Sequence, residues 1–175
     1  DWHCRIQPIR VLGVRGRMGK DSDIADAIRW AAGYAVANAP LNATPARIIN
    51  MSFGGYSRSQ IEEDALEVAL SQAVLVAAAG NDGLSAAVAP AYPAALPYVH
   101  GVMASTPAGK RAWFSNYGYD LAAPGVSIWS TLPGNQYAAW SGTSVAAPIV
   151  SGVAALMRSY FWQRDIYPVR FLMGG

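Results

Sequence analysis

The apolar positions of this chain follow two periods. Val74-Leu-Val-Ala-Ala78 is a near-continuous apolar run, the pattern of a parallel strand covered on both faces. Arg47–Ser52 and Tyr98–Ala104 predict two more strands, and Ile6–Val14 and Ile128–Ser130 two short ones. Ala112–Gly118 and Leu121–Gly125 read as short irregular segments. Helical spacing takes over between the strands. Asp21, Ser22 and Asp23 predict a helix start with acids at its positive end, followed by an apolar face of Ile24, Ala27, Ile28, Ala31 and Ala35. That helix is expected to end in the loop 38–45. Ser59-Gln-Ile-Glu62 has the form of a capping box before a helix with Leu66, Ala69, Leu70 and Ala73 on one side. A last helix is expected after Ser144, with Val145, Ile149, Gly152 or Val153, Leu156 and Tyr160 as its apolar face.

This alternation implies β-α-β units and a parallel sheet. Ligands of such sheets bind outside the carboxyl ends of the strands. Two polar turns belong there, Ser52-Phe-Gly-Gly55 and Gly80-Asn-Asp-Gly83, and both are expected on the same edge.

Composition narrows the class. At 175 residues the chain is expected to be one domain, and 53% hydrophobic against 14% charged residues calls for extensive burial. The net charge of +2 is scattered, so no nucleic-acid partner is indicated, and no apolar run is long enough to indicate a membrane span. Cys4 is the only cysteine, which excludes an intrachain disulfide. Gly13, Gly16 and Gly19 before Lys20 suggest a phosphate loop, but the spacing fits neither a Walker nor a dinucleotide motif, and a basic loop is expected instead. The start at Asp1, without Met or a signal-like segment, suggests processing or a fragment.

The stretch Trp140-Ser-Gly-Thr-Ser-Val-Ala-Ala-Pro148 carries the candidate chemistry. Ser144 falls at a helix N-terminus, where free N–H groups and the dipole can stabilise an oxyanion. A simple N-cap role for Thr143 or Ser144 is the ordinary alternative. For Asn81 the ordinary alternative is a turn residue beside Gly80 and Gly83.

Three segments, taken together and in order, resemble the subtilisin-like serine proteases (subtilases). Gly142-Thr-Ser-Val-Ala-Ala-Pro148 is similar to the segment around that family's nucleophile. Ala77-Ala-Ala-Gly-Asn81 is similar to the segment of its oxyanion asparagine. Asn50-Met-Ser-Phe-Gly-Gly55 is similar to the strand that pairs with substrate. Val11–Gly13, Tyr92-Pro93, Trp113–Gly118 and Ala123–Gly125 add support, and the matches run over about residues 9–157, with a divergent tail at 158–175. The resemblance implies an α/β three-layer sandwich with a mainly parallel sheet. It implies a serine endopeptidase in which Ser144 Oγ attacks, the Ser144 N–H and Asn81 amide hold the oxyanion, and Ser52, Phe53, Gly54, Ala78, Gly80 and Thr143 bind substrate. Extracellular localisation and a peptide or protein substrate follow from the same resemblance. Members of that family often bind calcium, and the Pro90–Pro93 turn resembles a region that can supply carbonyl ligands, but no carboxylate cluster supports a metal there, so no metal or other cofactor is assigned.

The family's triad runs Asp, His, Ser along the chain. No Asp-Thr-Gly and no His-Gly-Thr-His motif occurs here, His3 has no motif around it, and His100 reads as a sheet residue. The N-terminal part of the domain, with its Asp and His, is therefore expected to be missing from the chain, which should be inactive alone. An apolar sheet edge is expected to be left open for association. A non-catalytic peptide-binding module that keeps the groove is the rival reading.

Overall fold

The structure, a computed structural model, describes residues 4–13 and 19–162. Those residues form α1 (Asp21–Ala31), β1 (Ile48–Met51), α2 (Gln60–Leu70), β2 (Val74–Ala78), β3 (His100–Ser105), β4 (Leu121–Pro124), β5 (Ile128–Leu132), β6 (Gln136–Trp140) and α3 (Thr143–Trp162). One sheet has the order β1-β2-β3-β4, and β5 and β6 make a separate antiparallel pair. The chain divides into two compact units, one of residues 1–49, 59–74 and 154–175 and the other of 50–58 and 75–153.

In the first unit α1 and α2 pack together through Ile24, Ala25, Ile28 and Ala31 on one and Ala65, Leu66 and Ala69 on the other, all buried. Helix α1 starts at the predicted acids and stops sooner than its apolar spacing suggests. Gly33, at φ 92°, closes a Schellman turn in which its N–H bonds to Trp30 O at 3.0 Å and that of Tyr34 to Arg29 O at 2.9 Å. Ala35 therefore lies outside the helix. The amide of Asn42, itself buried, donates to the Trp30 and Ala31 carbonyls at 3.1 and 3.3 Å, beside the Gly33 and Ala46 N–H groups that those carbonyls also accept, and so ties the loop to the helix end. The predicted strand at 6–14 does not form over residues 6–13, and Val14 lies outside the described residues. Also outside them are His3, most of the glycine loop at 14–18, and the tail from 163.

The predicted run Val74–Ala78 forms a fully buried β2, in the second unit from Leu75 on, and His100–Ser105 pairs with it in parallel, Val76 opposite His100 and Ala78 opposite Val102. Leu121–Pro124 is not irregular as expected but adds β4 beside β3, with Ala104 opposite Ala123. Proline at its last position costs no ladder bond. The β5–β6 hairpin turns through Gly134 and Asn135, both at positive φ, and pairs Thr131 with Tyr137. The apolar spacing predicted only its first strand.

Helix α3 forms where expected but buries the opposite side. Ala146, Ala147 and Ala154 are buried, whereas Val153, Leu156 and Tyr160 are 50%, 52% and 55% exposed. Small side chains allow a helix to approach its neighbours closely, and that stripe won over the larger apolar one.

Candidate active site

Every group at this site belongs to the second unit and sits past the carboxyl end of a strand. Ser52 follows β1, Gly80 and Asn81 follow β2, and Gly125 follows β4. Gly125 donates to Ser105 O at 3.0 Å and accepts the Gly142 N–H at 2.9 Å, which seats the turn that opens α3. A Cβ on Gly125 would lie 2.5 Å from Ala104 Cβ, so only glycine permits this approach.

From that turn a directional chain of hydrogen bonds orients Asn81. Gly80 N–H donates to Thr143 Oγ1 at 3.1 Å, and Thr143 Oγ1–H donates to Asn81 Oδ1 at 3.0 Å. Thr143 N–H, which can only donate, reaches the same Oδ1 at 2.8 Å. The amide is thereby fixed with oxygen inward, and its Nδ2 has no protein acceptor among the described residues. Thr143 is fully buried and Asn81 exposed, so the rigid end of this chain is dry and the free end is wet.

Two donors converge on one space. A Cβ built on Gly142 would stand 3.6 Å from Asn81 Nδ2 and 3.7 Å from both Ser144 N and Asn81 Oδ1, the last already engaged by Thr143. The Ser144 N–H, in the first turn of α3, makes no backbone bond among the described residues, as expected of a helix N-terminus. Gly142 O instead receives the N–H groups of Val145 and Ala146 at 3.2 and 3.3 Å.

Ser144 and Ser52 exchange side-chain bonds. Ser144 Oγ donates to Ser52 O at 3.1 Å, and Ser52 Oγ donates to Ser144 O at 2.7 Å. Neither Thr143 nor Ser144 uses its hydroxyl as an N-cap. Beyond Ser52, Phe53 is half-buried and Gly54 exposed, and their backbone groups have no bond partner among the described residues. Gly55 is held by Tyr92 through bonds of 2.9 and 2.7 Å. Ala78 and Thr143 differ from the other predicted substrate residues in being buried, Ala78 in the β2–β3 ladder opposite Val102 and Thr143 behind Asn81.

The turn 80–84 has a buried anchor to which no role was assigned from the sequence. Asn116, fully buried, accepts Asp82 N–H at 3.1 Å and Leu84 N–H at 2.9 Å, and donates to Ala79 O at 2.9 Å and Tyr56 OH at 3.1 Å. Gly80 has φ 99°, and a side chain there would collide with the Asn116 amide. Tyr56 OH in turn donates to the Asp82 carboxylate. Loss of solvent, then the bond to Asp82, raise the Tyr56 pKa above its ordinary value. The signal in the sequence was the polar pair Ser115-Asn116 inside an aromatic segment, which is unusual unless both side chains serve backbone groups.

His100 opens β3 beside Val76, toward the amino end of that strand pair. Ser144 Oγ has the Ser52 carbonyl as its acceptor, with no imidazole bonded to it among the described residues. Among the described residues no group of three or more His, Cys, Asp or Glu could hold a metal, and no helix is long and apolar enough to cross a membrane. At the turn where the resemblance implied calcium, the carbonyls of Ala91, Tyr92 and Pro93 each accept a backbone N–H, from Ala95, Gly55 and Leu96.

The profile of the Subtilase family matches residues 2–169, and the chain belongs to that family. It is 46% identical over 167 residues to an extracellular protease of Xanthomonas campestris, covering 89% of this chain and 28% of that protein. It is 40% identical over 158 residues to subtilisin BL of Lederbergia lenta, covering 89% of this chain and 54% of that one. A solved protease structure from Pseudoalteromonas arctica superposes with a TM-score of 0.83 at 39% identity, over 90% of this chain and 51% of that chain. The fold is thus the α/β, mainly parallel fold of the subtilisin-like proteases. The chain spans about a quarter to a half of the length of these curated relatives.

Proposed function

We propose that this chain supplies the nucleophile and the oxyanion hole of a subtilisin-type serine endopeptidase. The observation that carries the reading is that Asn81 Nδ2 and Ser144 N lie 3.6 and 3.7 Å from one point over Gly142, while Asn81 Oδ1 is committed to Thr143. Two preorganised donors aimed at one point are what a developing oxyanion requires, and a neutral amide offers this without titrating. An extended peptide would bond to the free backbone groups of Phe53 and Gly54 by strand addition, with Ser52, Ala78, Gly80 and Thr143 shaping the groove behind them.

The chemistry then balances in two halves. Ser144 Oγ leaves the Ser52 carbonyl, gives its proton to a base and bonds to the scissile carbon, while the carbonyl oxygen takes the negative charge. Collapse breaks the C–N bond, the base returns the proton to the leaving amine, and water resolves the acyl-enzyme. The base is an Asp–His pair outside the matched motifs, and without it Ser144 is an ordinary alcohol. Secretion is proposed on the strength of relatives named as extracellular proteases, of Xanthomonas campestris and Dichelobacter nodosus.

The hydroxyl resting on a backbone carbonyl favours one rival, a peptide-binding module without turnover. Fluorophosphonate labelling of the full-length protein separates the two. Covalent label on Ser144, abolished in Ser144→Ala, supports the enzyme. A full-length protein that binds extended peptides yet takes no label sinks it.

A further inference from the structure

Helix α3 contains Pro148 four residues after Ser144. In an α-helix the carbonyl of residue i accepts the N–H of residue i+4, so Pro148 leaves the Ser144 carbonyl without its helical donor. An orphaned carbonyl in a packed turn is costly. The structure answers with the 2.7 Å bond from Ser52 Oγ to Ser144 O. We infer that the Ser52 side chain is a positioning residue: its hydroxyl replaces the N–H that Pro148 lacks and so fixes the first turn of α3.

The bond is directed from outside as well. Asn50 Nδ2 donates to Ser52 Oγ at 2.9 Å, so the Ser52 hydroxyl accepts from Asn50 and sends its own proton to Ser144 O. Because Ser144 O can only accept, Ser52 Oγ donates to it and the Asn50 amide must face Ser52 with Nδ2; this leaves Oδ1 toward Ser151 Oγ at 3.0 Å, whose one proton is shared with Ala147 O at 3.2 Å. The relay thus begins and ends on α3, at Ser151 and Ser144, two turns apart, with Asn50 and Ser52 as the brace between them. The groups it steadies are the two that the proposed chemistry uses, because the Ser144 N–H and Oγ are carried by the same residue as the carbonyl it holds. When Ser144 Oγ leaves the Ser52 carbonyl to react, the reverse bond from Ser52 Oγ does not have to break. The resting clasp has one exchangeable and one permanent bond.

This inference rests on Ser144 as the nucleophile only for its catalytic consequence. The hydrogen bond itself stands without it, and a double-mutant cycle on the full-length protein tests each part. Ser52→Ala is expected to lower Tm by about 2–4 °C, the shift that one unsatisfied carbonyl brings in a protein of this size. In a Pro148→Ala background, where residue 148 regains its N–H, Ser52→Ala is expected to cost less than half as much. Fluorophosphonate labelling should fall roughly tenfold in Ser52→Ala, the worth of one lost hydrogen bond. It should recover in Ser52→Thr, which keeps a hydroxyl, and in the double variant relative to Pro148→Ala. Equal Tm losses in the two backgrounds overturn the inference, and so does undiminished labelling of Ser52→Ala. A coupled Tm cycle in a protein that never labels keeps the brace and removes the protease reading instead.

Discussion

Two helices of this chain begin with a hydroxyl residue at or beside the first turn, and the two starts are built in opposite ways. At α2, Ser59 sits at the N-cap with extended backbone (φ −124°, ψ 109°), the sequence reads as a capping box, and the side chain makes no capping bond. Only a backbone bond closes the turn, from Glu63 N to Ser59 O at 3.0 Å. At α3, both hydroxyls are engaged, but with groups from other loops: Thr143 with Gly80 and Asn81, Ser144 with Ser52. At the first start the Gln60, Ile61 and Glu62 N–H groups have no backbone acceptor among the described residues. The second keeps its own hydroxyls away from the helix end, so that the Ser144 N–H stays open beside a second fixed donor. A hydroxyl at a helix start therefore identifies a site only when something else has taken that hydroxyl away from capping.

Substitutions at the two starts should separate sharply. The largest effect is expected at Asn81→Ala, which removes one converging donor but leaves Thr143 buried. Loss of such a donor costs a subtilisin about 10²–10³ in kcat, a figure that belongs to the family and not to this chain. Steady-state kinetics on the full-length protein should show the loss in kcat with KM little changed, and a fall confined to KM would place Asn81 in binding instead. Thr143→Val comes next. It keeps the shape but leaves Gly80 N–H unsatisfied and Asn81 with one anchor fewer, for a loss of roughly 1–3 kcal/mol in denaturant unfolding. Ser59→Ala should fall within about 0.5 kcal/mol, below the ~1 kcal/mol typical of a working N-cap, because no cap bond is there to lose. A full-sized loss at Ser59 would erase the contrast between the two starts.

The smallest effect is expected from Tyr56, beside the turn that carries Asn81. Its pKa is raised in the folded state, so the folded protein holds this proton more tightly than the unfolded chain. Stability from this group is complete below the ordinary tyrosine value of 10.0 and declines as pH rises through the higher folded pKa. Tyr56→Phe should flatten that alkaline decline in thermal melts and leave the neutral-pH curve nearly unmoved. An unchanged alkaline slope would show that ionisation of Tyr56 does not govern it.

The parts of the fold that were legible in advance are those with a single strong signal. Val74–Ala78 is apolar throughout and became β2 with those bounds. The acids at 21 and 23 marked the start of α1, and Gly33, not the apolar spacing, decided its end. Leu121–Pro124 was missed because a strand of four residues with a terminal proline has too little pattern to show. For α3 two apolar stripes competed, and the larger side chains took the outer one. At the site, residue types pointed to Ser144 and Asn81, but the direction of each bond was not in the sequence. No spacing rule announces that Pro148 needs Ser52, or that Asn116 carries a turn more than thirty residues before it.

The clasp between Ser52 and Ser144 joins residues 92 apart in the chain, and Thr143 meets Asn81 across 62. Contacts of such separation are among the last to form, because the loops they close must first be ordered by everything between. The hydroxyl of Ser144 exists from the moment of synthesis, but its orientation does not. Whatever reactivity this serine has is therefore withheld until the chain has folded, and the topology itself acts as the timer.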